Sequence, residues 1–290
     1  MKWLADSFGI SRQALYKRQK TQKIKVNQEK ELIEMVAKAR EGNSSYGGKK
    51  IHHILKDEME LKNIKMGRDK FFKFLRFNNL LIPKRRNYHT TTDSNHRFYK
   101  HPNLIINKIP TRPEQLWVSD ITYIKTENGH NYLALVTDAY SKKIVGYAID
   151  SHMKASLCVE ALKMAIENRE YPNKELIHHS DRGFQYCSNE YVNFSLKNNI
   201  RLSMTEKYDP YENAIAERVN RTLKYEYALK NIIKNKKIAK QMVDYAVFQY
   251  NEKRPHFSLD LFAPNYVHIH RNVKYKSYRK DKSQLTDLCI

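Results

Sequence analysis

Residues 116–125 (LWVSDITYIK), 131–140 (NYLALVTDAY) and 143–152 (KIVGYAIDSH) decide the fold. All three are rich in β-branched and aromatic residues. The turns between them are short, ENGH at 127–130 with its Asn128-Gly129 pair and SKK at 141–143, so the stretch predicts a three-stranded antiparallel meander. Beyond it the period changes. ASLCVEALKMAIENR (155–169) reads as a helix, ELIHHSD (175–181) as a strand, NEYVNFSLKNN (189–199) as a helix, IRLSMT (200–205) as a short strand, and a long helix begins near Glu212. Three strands followed by alternating helix and strand give a mixed α/β sheet with helices on both faces. The last helix, IAKQMVDYAVFQYNEK (238–253), ends before Pro255.

Three acids stand at informative places in this pattern. Asp120 lies mid-strand between Ser119 and Ile121, where Asp is disfavoured and a buried one is costly unless paired or metal-bound. Asp181 follows LIHHS at the carboxyl end of a strand, where open sheets place ligands. Glu217 sits in YENAIAERVNRTLK, with 35 residues between it and Asp181 (217 − 181 − 1). On that helix Ile215, Val219 and Leu223 recur at i, i+4 and i+8 and are expected to face the sheet. Asn213, Glu217, Asn220, Arg221 and Lys224 fall on another arc. Three carboxylates on separate elements can hold two divalent ions about 3.5–4 Å apart, the usual means of displacing a phosphodiester. Hard oxygen donors favour Mg²⁺, with Mn²⁺ as a substitute. Taken alone, the helix also fits an exposed face with a Glu–Arg pair at i,i+4.

Neighbouring residues carry weaker signals. His178 and His179 point to opposite sides of a strand and are expected to pack or support. Asp138 begins a turn, where Asp is at home. Tyr186, Tyr208 and Tyr211 flank the acids and suit either base stacking or core packing, and Trp117 reads as core.

The composition is consistent with a polyanionic partner. Lys and Arg number 53 against 31 Asp and Glu, a formal charge of +22, and such an excess gives salt-sensitive affinity for phosphates. Cys158, Cys187 and Cys289 form no CxxC pair, which supports neither a disulfide framework nor a Cys-rich zinc site. No signal peptide and no 18-residue apolar run are present, so no membrane association and a cytoplasmic location are expected. GxxxxGK[ST] is absent, so no ATP site is expected.

The first part of the chain reads as helical. A short helix, KWLADSF, reaches Gly9. Ser11 is a good N-cap for RQALYKRQK, which would display Arg12, Gln13, Tyr16 and Lys17, so residues 1–27 resemble the second half of a helix-turn-helix or an ordinary helical hairpin. Within 28–41, Leu32, Val36 and Ala39 have helical spacing. A helix after Tyr46-Gly47-Gly48 would use Ile51, Ile54 and Leu55, and RDKFFKFLRFNN would use Phe71, Phe74, Leu75 and Asn78. Lys49, Lys50, Arg68, Lys70, Lys73 and Arg76 are expected on the surface of that small bundle.

WVSDITY, HSDRGFQY, SMTEKYDPYENAIAERVNRTLKYEY and YNEKRPHFSLD, four segments in order, resemble the integrase-core transposases of bacterial insertion sequences, over about residues 28–270. More narrowly they resemble the downstream, OrfB-type product of the group encoded in two overlapping frames. The resemblance implies a ribonuclease-H-like integrase core, a mixed five-stranded sheet with helices on both faces, preceded by an all-α DNA-binding region. It implies a metal-binding catalytic triad of Asp120, Asp181 and Glu217, with Lys224 as the basic residue further along the same helix. YGGKKIHHIL resembles the family's helical DNA-binding region. EKYDPYEN departs from the family at Lys207-Tyr208, where a small or Gly-containing turn is common. The expected organisation is a partial helix-turn-helix at 1–27, a helical DNA-binding region at 28–85, a basic linker at 86–109, the catalytic core at 110–270 and a basic, mobile tail at 271–290. The expected activity is cleavage at the ends of a mobile element and 3′-OH strand transfer. The expected partners are duplex DNA, further copies of the chain on that DNA and an upstream-frame, OrfA-type protein. Two alternatives are a nuclease that only hydrolyses and a catalytically inactive, transposase-derived DNA-binding protein.

Overall fold

The computed structural model describes residues 3, 9, 11–83, 97–206, 213–270 and 286–287. The chain divides into two compact units, Met1–Arg85 and Arg86–Ile290.

The first unit is all-helical. Helix α1 spans Arg12–Arg40, with Ser11 as N-cap accepting from Ala14 N at 3.1 Å. It is one uninterrupted helix, so the expected break near residue 27 is absent: the sequence between the two predicted halves holds no Gly or Pro to stop it. Gly9 does take the left-handed conformation (φ +61°); most of the residues before it lie outside the described ones. Short helices α2 (Gly48–Ile54) and α3 (Lys56–Leu61) and then α4 (Arg68–Phe77) follow. Leu32, Met35, Val36, Ile51, Leu55, Met59, Phe71, Phe74 and Leu75 form their common core. Two expectations are corrected. Ile54 is exposed, because the chain re-registers at Leu55 and Met59 takes the inward place. Lys50 is buried, its ammonium 5.4 Å from the centre of the Tyr46 ring.

The second unit is built on a five-stranded sheet. Its strands are β1 (Leu116–Thr126), β2 (Gly129–Asp138), β3 (Ile144–Asp150), β4 (Leu176–Ser180) and β5 (Ile200–Met204), in the order β3-β2-β1-β4-β5. The first three form the antiparallel meander, and β4 and β5 add in parallel. Strand β2 is covered on both faces, as its nearly continuous apolar run requires. Ala134 and Val136 pack with Trp117, Leu157, Leu162 and Tyr191 under α5 (Ala155–Glu167) and α7 (Asn189–Lys197), with the short α6 (Phe184–Cys187) between those helices in sequence. Leu133 and Leu135 pack on the other face with Ile124, Val219, Leu223, Val243 and Tyr250, from α8 (Ala214–Glu226), α9 (Lys236–Phe248) and the wide turn Gln249–Lys253 that continues α9. This is the ribonuclease-H-like arrangement.

Helix α5 approaches β3 at Gly146, where an added Cβ would stand 2.1 Å from Ala161 O, so only glycine fits. The expected turn role of Asp138 holds: its carboxylate accepts from Ser141 N and Glu114 N, both at 2.7 Å. A last helix, α10, spans Pro264–His270.

Two boundaries differ from expectation. Residues 102–105 are part of the core rather than a free linker: Pro102 O accepts from Met204 N, Leu104 N donates to Ser203 Oγ at 2.9 Å, and Leu104 and Ile105 pack on Leu116 and Ile177. An aperiodic, polar sequence gives no sign of such edge packing. In the basic tail, Thr286–Asp287 pairs in parallel with Lys108–Ile109, and the rest, 271–285 and 288–290, lies outside the described residues. Among the described residues no helix is long and apolar enough to cross a membrane.

Candidate active site

The parallel pairing of β1 and β4 sets the first two acids. It runs from Leu116↔Ile177 to Val118↔His179 and stops there. Asp120 and Asp181 each stand two residues beyond that last pair. The strands part there, with Asp120 still on β1 and Asp181 in the turn that follows β4. Their proximity registers electrostatically. Asp120's carboxyl is pushed up to about 7, first by burial and then by the charges of Asp181 and, more weakly, Glu217.

The turn after β4 fixes Asp181. Gly183 N donates to its Oδ1 at 3.0 Å. A Cβ on Gly183 would lie 3.0 Å from that same oxygen and 3.1 Å from Gln185 Oε1. A side chain at 183 would therefore push the carboxylate and the Gln185 amide aside by a few tenths of an ångström.

Helix α8 brings the third acid. Val219 and Leu223 face the core as the spacing predicted, Ile215 is half-buried against Leu116, Val118 and Ile177, and Ala216 is buried beside it. On the other arc, two buried amides fasten the helix to β1 on either side of Glu217. Asn213 Nδ2 donates to Ser119 O at 2.9 Å, and Asn220 Nδ2 donates to Asp120 Oδ2 at 2.8 Å. Glu217, in the first turn, remains exposed, and its carboxyl is raised by partial burial and by Asp181. Among the described residues no three His, Cys, Asp or Glu side chains converge closely enough to enclose a metal ion. The acids are charged neighbours in an open array, not a closed cage. Like charges held this near one another are what a divalent cation would relieve, and all-carboxylate oxygen is the donor set that hard cations take.

Lys224 lies two turns beyond Glu217 and is not a merely solvated lysine. It is half-buried, with its ammonium 4.0 Å from the centre of the Tyr123 ring. Desolvation lowers its pKa, against an opposing pull from Asp120 and a further lowering by Lys230. Tyr123 is three residues past Asp120 on β1, and sequence reasoning did not single it out.

The other flagged residues are supporting. His178 is fully buried, hydrogen-bonded through Nε2 to Ser119 Oγ (2.6 Å) and Tyr191 OH (3.1 Å). Burial pushes it down to about 3, so it is neutral. His179 Nδ1 bonds Ser203 Oγ at 2.9 Å. Tyr186 is in the core, edge-on to Tyr191, and Trp117 is fully buried. Tyr208, Tyr211 and the departure at Lys207-Tyr208 lie outside the described residues.

Comparison with known proteins gives a consistent pattern. Two families, each described as integrase core domain, match residues 110–210 and 198–264. A relative named insertion element IS600 uncharacterized 31 kDa protein, from Shigella sonnei, is 33% identical over 265 residues, 90% of this chain and 96% of that protein. The transposase for insertion sequence element IS904 from Lactococcus lactis subsp. lactis is 37% identical over 56% of this chain and 65% of its own length. Transposase InsF for insertion sequence IS3A from Escherichia coli is 37% identical over 50% of each. This chain therefore spans one relative almost entirely and half to two thirds of the other two. Among solved structures, the HTLV-2 integrase catalytic core domain in complex with magnesium is 18% identical, covering 54% of this chain and 97% of that one, with a TM-score of 0.43.

Proposed function

The chain belongs to the integrase-core transposases of bacterial insertion sequences, and on that premise we propose that it cuts the ends of a mobile element and joins them to target DNA at one site made by Asp120, Asp181, Glu217 and Lys224. What supports this reading is that Asp120, Asp181 and Glu217, from β1, the β4 turn and α8, stand near enough for each to feel another's charge, which with burial pushes the Asp120 carboxyl up to about 7.

Two divalent cations, Mg²⁺ by the hardness of the donors and Mn²⁺ as a substitute, would supply activation of the attacking oxygen and neutralisation of the leaving one. The protein's part is placement and charge. Asp120, Asp181 and Glu217 offer the oxygens. Asn220 orients Asp120 through its 2.8 Å hydrogen bond. Tyr123 steers the Lys224 ammonium, which meets a phosphate beside the acids. In the first step a water oxygen attacks phosphorus at the element end, the P–O3′ bond breaks and the element keeps a 3′-OH. In the second, that 3′ oxygen attacks a target phosphodiester and displaces the target's own 3′ oxygen, so bond number is conserved and no ATP is needed.

The partner is duplex DNA, drawn by the net charge of +22, with the helical unit over residues 28–85 as a DNA-binding region and at least two copies on the paired ends. An upstream-frame, OrfA-type protein completes the expected assembly. Incubation of the full chain with labelled end duplex, plasmid and Mg²⁺ tests this. Joined product supports the transposase, cleavage without joining marks a nuclease, and binding with neither marks an inactive derivative.

A further inference from the structure

The segment YNEKRPHFSLD (250–260) takes no part in the proposed chemistry, yet two of its buried polar residues tie the end of α8 to the sheet. Asn251, in the wide turn that continues α9, grips the first residue of β3. Ile144 N donates to its Oδ1 and its Nδ2 donates to Ile144 O, each at 2.9 Å. Arg254 closes that turn, its N–H donating to Gln249 O at 2.9 Å. Its buried guanidinium meets Glu226, the last residue of α8, with two prongs: Nε donates to Oε2 and Nη2 to Oε1, both at 2.7 Å. A continuous line of contacts therefore runs from β3 through the wide turn to the carboxyl end of α8.

That end carries Lys224, one turn past Asn220, whose amide fastens α8 to Asp120 on β1. The last turn of a helix leaves its carbonyls without intrahelical partners and frays unless something holds it. Glu226 lies two residues beyond Lys224, about 200° round the axis. A hold on Glu226 thus steadies the turn from the side opposite the lysine, whose ammonium lies over Tyr123. Stability alone does not account for an ion pair in this place. Desolvation of two charges offsets their attraction, and apolar residues of similar volume stabilise as well or better. What the guanidinium fork adds is geometry, because it accepts a carboxylate in one planar arrangement at fixed distance.

We propose that Glu226 and Arg254 are positioning residues for strand transfer: the pair fixes the last turn of α8 so that Lys224 meets the DNA phosphate beside the acids. This rests on the reading that Lys224 engages the end DNA.

The test uses the full chain, Mg²⁺, a target plasmid and a pre-cleaved duplex from the terminus of the element that carries the gene. Arg254→Lys keeps the charge and loses the fork. The double variant Glu226→Leu, Arg254→Met removes the pair without leaving a lone buried charge, and its unfolding midpoint should equal or exceed the parent's. At saturating duplex the single-turnover joining rate should fall about threefold in Arg254→Lys and about tenfold in the double variant, with affinity for the duplex within about twofold of the parent's. Combined with Lys224→Ala, neither should cost more than about a further twofold, since both losses pass through the same lysine. Acetylation of Lys224, read by mass spectrometry, should be blocked by the duplex in the parent and not in the double variant. Parental joining and parental protection of Lys224 in the double variant overturn the proposal. So do losses that multiply in full with Lys224→Ala, and losses that appear only with a lowered unfolding midpoint, which mark a structural pair. A parent chain that joins nothing while the duplex still protects Lys224 sinks the functional reading instead, and the protection measurement then decides the role of the pair.

Discussion

Asp120 on β1 and Asp181, the first residue after β4, each stand two residues past the final pair Val118↔His179 of those parallel strands. The backbone register thus brings two carboxylates near one another where β1 and β4 separate. Removing either charge leaves that register intact. Asp120→Asn, Asp181→Asn and Glu217→Gln are therefore each expected to cut strand transfer about a hundredfold or more, roughly 2.7 kcal/mol of barrier, with end-DNA affinity nearly unchanged. Near-parental transfer by any one of them, measured beside a gel-shift control, removes that residue from the site.

Gly183 is expected to be sensitive for a reason separate from metal binding. Its N–H holds Asp181 Oδ1, and a Cβ would crowd the same oxygen at 3.0 Å. Gly183→Ala should lower turnover about tenfold through a displaced carboxylate, an effect of about 1.4 kcal/mol, while the unfolding midpoint moves little. Unaltered turnover would show that Asp181 can shift without consequence.

The sheet and the acids were legible because their signals are local. β-branched runs, short turns and an Asp in a strand each have one dominant physical reading. The amphipathic spacing of Val219 and Leu223 fixed the rotation of α8, and hence the arc that holds Glu217 and Lys224. Asn220's bond to Asp120 and the Tyr123–Lys224 contact were not legible, since they depend on how far α8 slides along β1. The same holds for Lys50, whose burial beside Tyr46 no periodicity announces. The split of α1 into two helices was misread because a change from apolar to cationic composition resembles a boundary, although nothing in it stops a helix.

Lys224 over Tyr123 leads to a graded expectation. Lys224→Ala should reduce transfer about tenfold, roughly 1.4 kcal/mol, without loss of the fold. Lys224→Arg should restore part of it, because the charge is kept while the shape at the ring and phosphate changes. Single-turnover rates at two salt concentrations decide the matter: full activity of the alanine variant at physiological salt would leave the lysine a purely structural role.

The buried ion pair of Glu114 and Arg169, 3.1 Å apart, gives a pH-dependent stability. Burial raises the Glu114 carboxyl. Hydrogen bonds from His268, Glu170 N, Arg169 and Tyr171 N outweigh that and leave it below its ordinary value. A folded-state value below the unfolded one, about 4.3 for Glu, means that the stabilisation is complete above that pH and is lost as pH falls through the depressed value. Glu114→Gln should cost about 3–5 kcal/mol at pH 7, because Arg169 is left buried without its anion. The gap from the parent should narrow below pH 4. Urea midpoints at pH 7, 5 and 3 check this, and a gap that stays constant with pH would rule out the pair as its source.

The joining step can be isolated. The full chain is given Mg²⁺, a target plasmid and a pre-cleaved end duplex whose transferred strand finishes in either a 3′-OH or a 3′-deoxy terminus. Joined product is expected from the 3′-OH duplex alone, abolished by Asp181→Asn. Failure of the 3′-OH duplex to join although it is bound, or equal joining of the 3′-deoxy duplex, would contradict it.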